Sequence, residues 1–240
     1  MRSCLGAVLL LAGCATAPPA APPAAPPQPP ALKPYTEQIP GTTVTFEMLP
    51  VPGTRLWMGR TEVTWDEFEA WYLSEEEDEA DAVARPTPFY EPHDRGWGRA
   101  RRPAVGFSRH AAEQYCVWIS RRTGRTYRLP TEAEWENACG ADPAAVTEHA
   151  WFGVDRTREV ARKEPNAIGL YDMLGNAMEY CAGGEEQFLR GGCWKDEAVE
   201  CASRVEVVEQ WNARDPQRPR SKWWLTDAPW TGFRVVRAPE

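Results

Sequence analysis

From Cys139 to Glu240 the chain sustains neither of the two regular periods of secondary structure. Gly, Asn, Asp, Trp and Pro dominate, and the apolar runs between them, such as Phe188-Leu189 and Phe233 to Val236, are too short for a helix face or a long strand. Such a segment can close a core only through loops and short strands pinned by large side chains and cross-links. Twelve tryptophans and seven cysteines in 240 residues supply both. A tryptophan buries roughly 150–250 Å² on folding, so a few of them can replace a whole helical stripe.

Residues 35–138 read more regularly. Thr42 to Met48 alternates as a strand, with Val44 and Phe46 on one face, and Pro50 to Gly53 ends it. Thr64 with Glu67 forms a capping box, followed by Trp65, Phe68 and Tyr72 at helical spacing. Glu75 to Asp81 is acidic without apolar periodicity, and Arg85 to Arg102 is rich in proline, glycine and charge, so both read as surface loop. Ser108 caps a second helix that runs to about Thr123 and stops at Gly124, with Ala112, Tyr115, Cys116 and Ile119 on its inner face. Thr131 and Glu134 form another capping box for a third helix that presents Ala133, Trp135 and Ala138 and closes at Cys139-Gly140. No period of 20 to 50 residues repeats, so neither a solenoid nor a propeller is indicated.

The N-terminus reads as a processing signal. Arg2 precedes a short apolar run closing with Leu11-Ala12-Gly13-Cys14, which resembles the lipobox of bacterial lipoproteins. The resemblance implies cleavage after residue 13 and lipid on Cys14, hence a protein of the bacterial cell envelope held to a membrane by its lipid anchor. Ala15 does not resemble an inner-membrane retention signal, so the outer membrane is preferred. Residues 14–34 are a proline- and alanine-rich linker; its last twenty residues, extended as polyproline II at about 3.1 Å each, reach roughly 60 Å. Residues 35–240 remain for one folded domain. Formal charge is -8 and becomes -9 once Arg2 is lost, which argues against nucleic acid as a partner.

Five segments of this domain, in order, resemble the formylglycine-generating-enzyme, or sulfatase-modifying-factor, family. They are Gly59-Arg-Thr-Glu-Val-Thr64, Tyr115-Cys-Val-Trp118 with Tyr127-Arg-Leu-Pro-Thr-Glu-Ala-Glu-Trp135, Asn166 to Glu179, Leu189-Arg-Gly-Gly-Cys-Trp194, and Gly232-Phe-Arg-Val-Val-Arg237. The resemblance implies an α+β fold, irregular and C-type-lectin-like, with little regular secondary structure.

The family oxidises a sulfatase cysteine with copper held by two cysteines, soft ligands suited to copper(I). Here Asp196 stands at the first of those positions, and the segment carrying the second is shortened away. The expectation is therefore a binding or structural protein without catalytic residues, its partner an envelope protein or a glycan. The alternative is a copper oxidase with a rearranged pair, Cys193 and Cys201. The resemblance also implies a Cys139–Cys201 disulfide, compatible with export. Cys116 loses its family partner, since Val235 occupies that position, and Cys193 is expected as a buried thiol or as the disulfide partner of Cys181.

By the same resemblance, calcium ligands map to Asp172 and Glu179 through their side chains and to Gly175 and Ala177 through their carbonyls. Two carboxylates flanking carbonyls in a turn-forming sequence are the hard oxygen set that suits a structural calcium. Trp211, Trp223, Trp224 and Trp230 are candidates for an exposed, glycan-binding aromatic surface. His93, His110 and His149 form no spaced ligand pair, and no Gly-x-Ser-x-Gly elbow occurs, so non-haem iron and serine-hydrolase chemistry are unsupported.

Overall fold

The computed structural model describes residues 31–74, 86, 94–184 and 186–239. The leader, Cys14, most of the proline-rich linker, the acidic run 75–81 and His93 lie outside the described residues. No helix among the described residues is long and apolar enough to cross a membrane.

The chain enters the domain along β1 (Tyr35–Gln38), which pairs antiparallel with β2 (Thr45–Val51), and β2 pairs with β3 (Leu56–Gly59). The strand expected over residues 42–48 thus begins and ends three residues later. Pro50 is tolerated inside it, and Pro52-Gly53 makes the turn into β3 instead of a stop. The entry is fixed by aromatics: Trp57 Nε1 donates to the Lys33 carbonyl at 2.8 Å, and Tyr35 lies edge-on to Trp57 with ring centres 5.5 Å apart.

The helices form where the capping boxes place them. In α1 (Trp65–Tyr72) the Thr64 hydroxyl accepts from Glu67 N while Glu67 Oε1 accepts from Thr64 N. In α3 (Glu132–Cys139) the Thr131 and Glu134 pair does the same. Between them, α2 (Arg109–Thr123) starts on the Ser108 side chain and ends at Gly124, whose φ of 69° is the left-handed stop that glycine allows. A one-turn helix, α4 (Val146–His149), lies within the stretch that the sequence reads as irregular.

Five strands assemble in the order β1-β2-β3-β9-β4, with β4 at Tyr127–Arg128 and β9 at Val236–Arg237. The C-terminal strand is therefore interior, paired with β3 on one side and β4 on the other. A second sheet of four short strands runs β7-β6-β5-β8: Arg204–Glu206, Phe188–Arg190, Met178–Tyr180 and Thr231–Gly232.

The core is aromatic. Phe68 stacks on Phe107 at 4.9 Å and 4° and touches Trp71, Tyr115 and Trp224, while Phe107 meets Phe233 edge-on. Trp223 and Trp224 are 3% and 2% exposed, so half of the aromatic surface expected from sequence is core. A second cluster gathers Trp135, Met173, Leu174, Val236 and the Cys139–Cys201 disulfide, which closes a 62-residue separation. Cys116, Cys181 and Cys193 are buried free thiols, so the alternative Cys181–Cys193 bridge is not formed.

Candidate functional site

The loop 191–196 is laced into two neighbouring segments by backbone bonds. Gly175 N donates to Gly191 O, Trp194 N to Asn176 O, Val154 N to Trp194 O and Gly153 N to Asp196 O, all between 2.8 and 3.0 Å. Gly191 has a φ of 86°, and a Cβ there would lie 2.6 Å from the Met173 carbonyl. The two glycines before Cys193 are a packing requirement of this lacing.

Cys193 is fully buried, and burial pushes its thiol up to about 12. A thiol at that value is not ionised near neutrality, and the thiolate is the form that attacks or binds metal. Asp196 turns inward: its Oδ2 accepts from Cys193 N at 2.9 Å, and its own N–H donates to the Cys193 carbonyl at 3.1 Å. Cys201 is consumed by the bond to Cys139. In this structure Cys193 and Cys201 do not form the rearranged pair: Cys201 is bonded to Cys139, and burial opposes ionisation of the Cys193 thiol.

Outside Cys193 lies a run of half-buried aromatics. Trp97 and Trp194 meet edge-on at 5.3 Å, Trp211 and Trp230 at 5.5 Å, and Lys195 Nζ sits 3.1 Å from the centre of the Trp230 ring. Trp97 belongs to the proline-glycine stretch, which offers no apolar period to single it out.

The second cluster surrounds Arg234, which is fully buried. Its Nε donates to Glu179 Oε2 at 2.6 Å and its Nη2 to Glu179 Oε1 at 2.5 Å, with further bonds to the carbonyls of Gly59, Tyr171 and Asp172. Trp135 Nε1 adds a third bond to Glu179, at 2.7 Å. Burial opposes the guanidinium charge, yet the adjoining Glu179 carboxylate outweighs it and raises the Arg234 pKa. Glu62, from the Gly59–Thr64 motif, accepts from Asn176 Nδ2 and Ala177 N, both at 2.8 Å. Burial, reinforced by Asp172 and Glu179, lifts Glu62 well above the carboxylate range. Asp172 adopts a φ of 51°, accepts from Ala161 N through Oδ2 at 2.8 Å, and leaves Oδ1 buried without a hydrogen-bond partner. Burial raises its carboxyl to about 6.

As a calcium set, Asp172, Gly175, Ala177 and Glu179 fit only in part. Asp172 offers a free carboxylate oxygen, but both oxygens of Glu179 are engaged by Arg234 and Trp135. Among the described residues no three His, Cys, Asp or Glu side chains converge in a metal-binding arrangement. Gly175 is required for a different reason: at its φ of 74° a Cβ would come within 2.3 Å of the Trp151 carbonyl. Nothing in the sequence around Glu62, a polar run from Gly59 to Thr64, marks it as buried, whereas Arg234 between Phe233 and Val235 is a charge inside an apolar run.

The sulfatase-modifying factor enzyme 1-like domain family matches residues 48–239. The chain belongs to this family. Among curated relatives of this sulfatase-modifying-factor domain, serine/threonine-protein kinase pkn1 of Chlamydia pneumoniae is 34% identical, the match covering 45% of this chain and 22% of the kinase. A mouse relative, inactive C-alpha-formylglycine-generating enzyme 2, is 31% identical over 40% of this chain and 39% of its own. The chain thus spans well under half the length of these relatives. Among solved structures, Treponema denticola variable protein 1 superposes with a TM-score of 0.61 at 20% identity, covering 86% of this chain and 99% of that one. PvdO from Pseudomonas aeruginosa gives 0.56 at 22% identity, covering 82% of each. These likenesses establish the irregular α+β fold expected from the sequence.

Proposed function

We propose that this chain is a non-catalytic, binding member of the sulfatase-modifying-factor family, exported and anchored to a bacterial membrane through lipid on Cys14. One observation carries the first half: Asp196 stands at the first of the family's copper-cysteine positions, and the two cysteines that could replace the pair are committed elsewhere, Cys193 as a buried thiol whose ionisation burial opposes and Cys201 in the bond to Cys139. The mouse relative named an inactive enzyme is compatible with this reading. The half-buried Trp97, Trp194, Trp211 and Trp230 with Lys195 make the face over the former site a binding surface for a glycan or an envelope protein. Stacking of sugar rings or apolar side chains on tryptophan needs this kind of partly exposed array. Calcium at Asp172 and the carbonyls of Gly175 and Ala177 would have one uncommitted carboxylate oxygen, which places it among weak sites.

The deciding experiment titrates the disulfide-intact protein with copper(I) and assays oxidation of a cysteine-containing sulfatase peptide, alongside fractionation of cells producing wild type or Cys14→Ser. Neither stoichiometric copper nor peptide oxidation is expected, and the substitution should release the chain from the membrane fraction. Copper bound one-to-one, lost in Cys193→Ser, would overturn the binding role. Unchanged membrane association of Cys14→Ser would remove the lipid anchor.

A further inference from the structure

A polar depression of about 270 Å³ lies where β1 and β2 meet the start of α1, with Thr36, Thr45 and Thr61 among its lining residues. Cavities on the order of 150 Å³ hold a benzene, so this one has room for about ten heavy atoms. None of its lining residues belongs to the tryptophan face or to the former copper position, so what binds here and the function proposed above stand or fall separately.

Four charged side chains line the space: Glu47, Arg60, Glu67 and Arg101. Two of them answer each other, because Arg60 donates to Glu47 Oε2 and also to the Tyr171 hydroxyl. The other two are uncommitted. Glu67, 5% exposed, receives both Thr64 donors on Oε1. Its Oε2 accepts no hydrogen bond from the described residues yet is not sealed in, so it meets solvent through the depression that the residue lines. Arg101 stands exposed at the rim, and its guanidinium makes no hydrogen bond or ion pair with a described residue. Burial raises the Glu67 carboxyl to about 7, and the charge of Arg101 works against that rise. The two groups therefore feel each other across the depression without touching.

This arrangement selects among ligands by charge. A lone cation, a metal ion included, would gain Glu67 but meet the repulsion of Arg101. A lone anion would gain Arg101 but meet Glu67 and, behind it, Asp66, whose charge also raises the Glu67 carboxyl. A molecule with both charges on a short frame satisfies both ends. Its ammonium donates to a carboxylate oxygen, and its carboxylate matches the planar fork of a guanidinium, both charge-assisted bonds of the stronger kind.

We propose that this depression binds a small zwitterion of the amino-acid class, its ammonium on Glu67 Oε2 and its carboxylate on the Arg101 guanidinium. The threonine hydroxyls, which both donate and accept, line the space between.

The test is calorimetric titration of the full chain at about pH 8, above the Glu67 value, so that its carboxylate is ionised. The probes are glycine, β-alanine and 4-aminobutyrate, whose two charges lie progressively further apart, with acetate and methylammonium as the separate halves. Saturable one-to-one binding of at least one of the three amino acids is expected, at least about tenfold tighter than either half, because each half forgoes one charge-assisted bond. The tightest of the three reports the gap between the two protein groups. Arg101→Gln should lose at least about tenfold in affinity for that probe, and Glu67→Gln should do the same while keeping an oxygen for Thr64. Because Arg101 is exposed and bonded to no described side chain, its variant tests the site even where Glu67→Gln disturbs the start of α1. Absence of saturation by all three amino acids, equal affinity for acetate or methylammonium, or wild-type affinity in Arg101→Gln would overturn the assignment.

Discussion

Two residues define what the interior tolerates. Cys193 is sealed and un-ionised, so brief alkylation of the native protein should leave Cys193 unmodified, while denaturant should expose it within the same time. Peptide mass mapping reads this directly, and rapid native labelling at Cys193 would contradict the sealed geometry. Glu67 is 5% exposed, and burial raises its carboxyl to about 7 although Thr64 donates to it twice. Since the folded value exceeds the unfolded one, the native state holds the proton more tightly. The associated stability is fully present below about pH 4.5 and is lost as pH rises through about 7. Glu67→Gln keeps an oxygen for Thr64 and removes the titration. Between pH 5 and pH 8 the wild type should lose roughly 2–3 kcal/mol more than this variant in denaturant unfolding. Parallel pH profiles would show that Glu67 does not carry the effect.

At the scale of elements, the helices were legible because their signals are local. Thr64 with Glu67 and Thr131 with Glu134 each fix a helix start through side chains within a turn of it, while Ser108 starts α2 and the left-handed backbone of Gly124 ends it. Thr131→Ala should cost about 1 kcal/mol, the usual value of such a cap. The paired strands were less legible. β3 follows a turn that reads as a stop, and β5, β6 and β8 are two or three residues long, so their existence depends on partners distant in sequence. The same non-locality hid Trp223 and Trp224, whose burial comes from Phe68, Trp71 and Tyr72 rather than from any period of their own. The disulfide was expected through family resemblance, not spacing. Closing a loop of this size restricts the unfolded chain by roughly 4 kcal/mol, so a Cys139→Ala, Cys201→Ala double variant should lose about that much in denaturant unfolding. A loss under about 1 kcal/mol would mean that the second core cluster holds without its cross-link.

For the whole molecule, the order β1-β2-β3-β9-β4 makes the last strand the keystone of the first sheet, because residues 236–237 complete the ladders of both β3 and β4. The same terminal segment delivers Phe233 to the aromatic core and Arg234 to Glu179. A chain ending at Trp230 would therefore lose β8, β9 and the buried side chains of Phe233, Arg234, Val235 and Val236 together. It would also leave Glu179 in the interior with only Trp135 to answer it, and an uncompensated buried charge alone costs roughly 3–5 kcal/mol. That approaches the whole stability of an ordinary domain, about 5–15 kcal/mol. Truncation after Trp230 should consequently abolish cooperative unfolding and the near-ultraviolet circular dichroism of the packed tryptophans. Arg234→Met should retain the strands but unfold several kcal/mol more easily, at roughly the cost of the stranded charge. A truncated chain that still melted cooperatively would show that the first sheet holds together without β9, and that the core assembles from residues before Thr231.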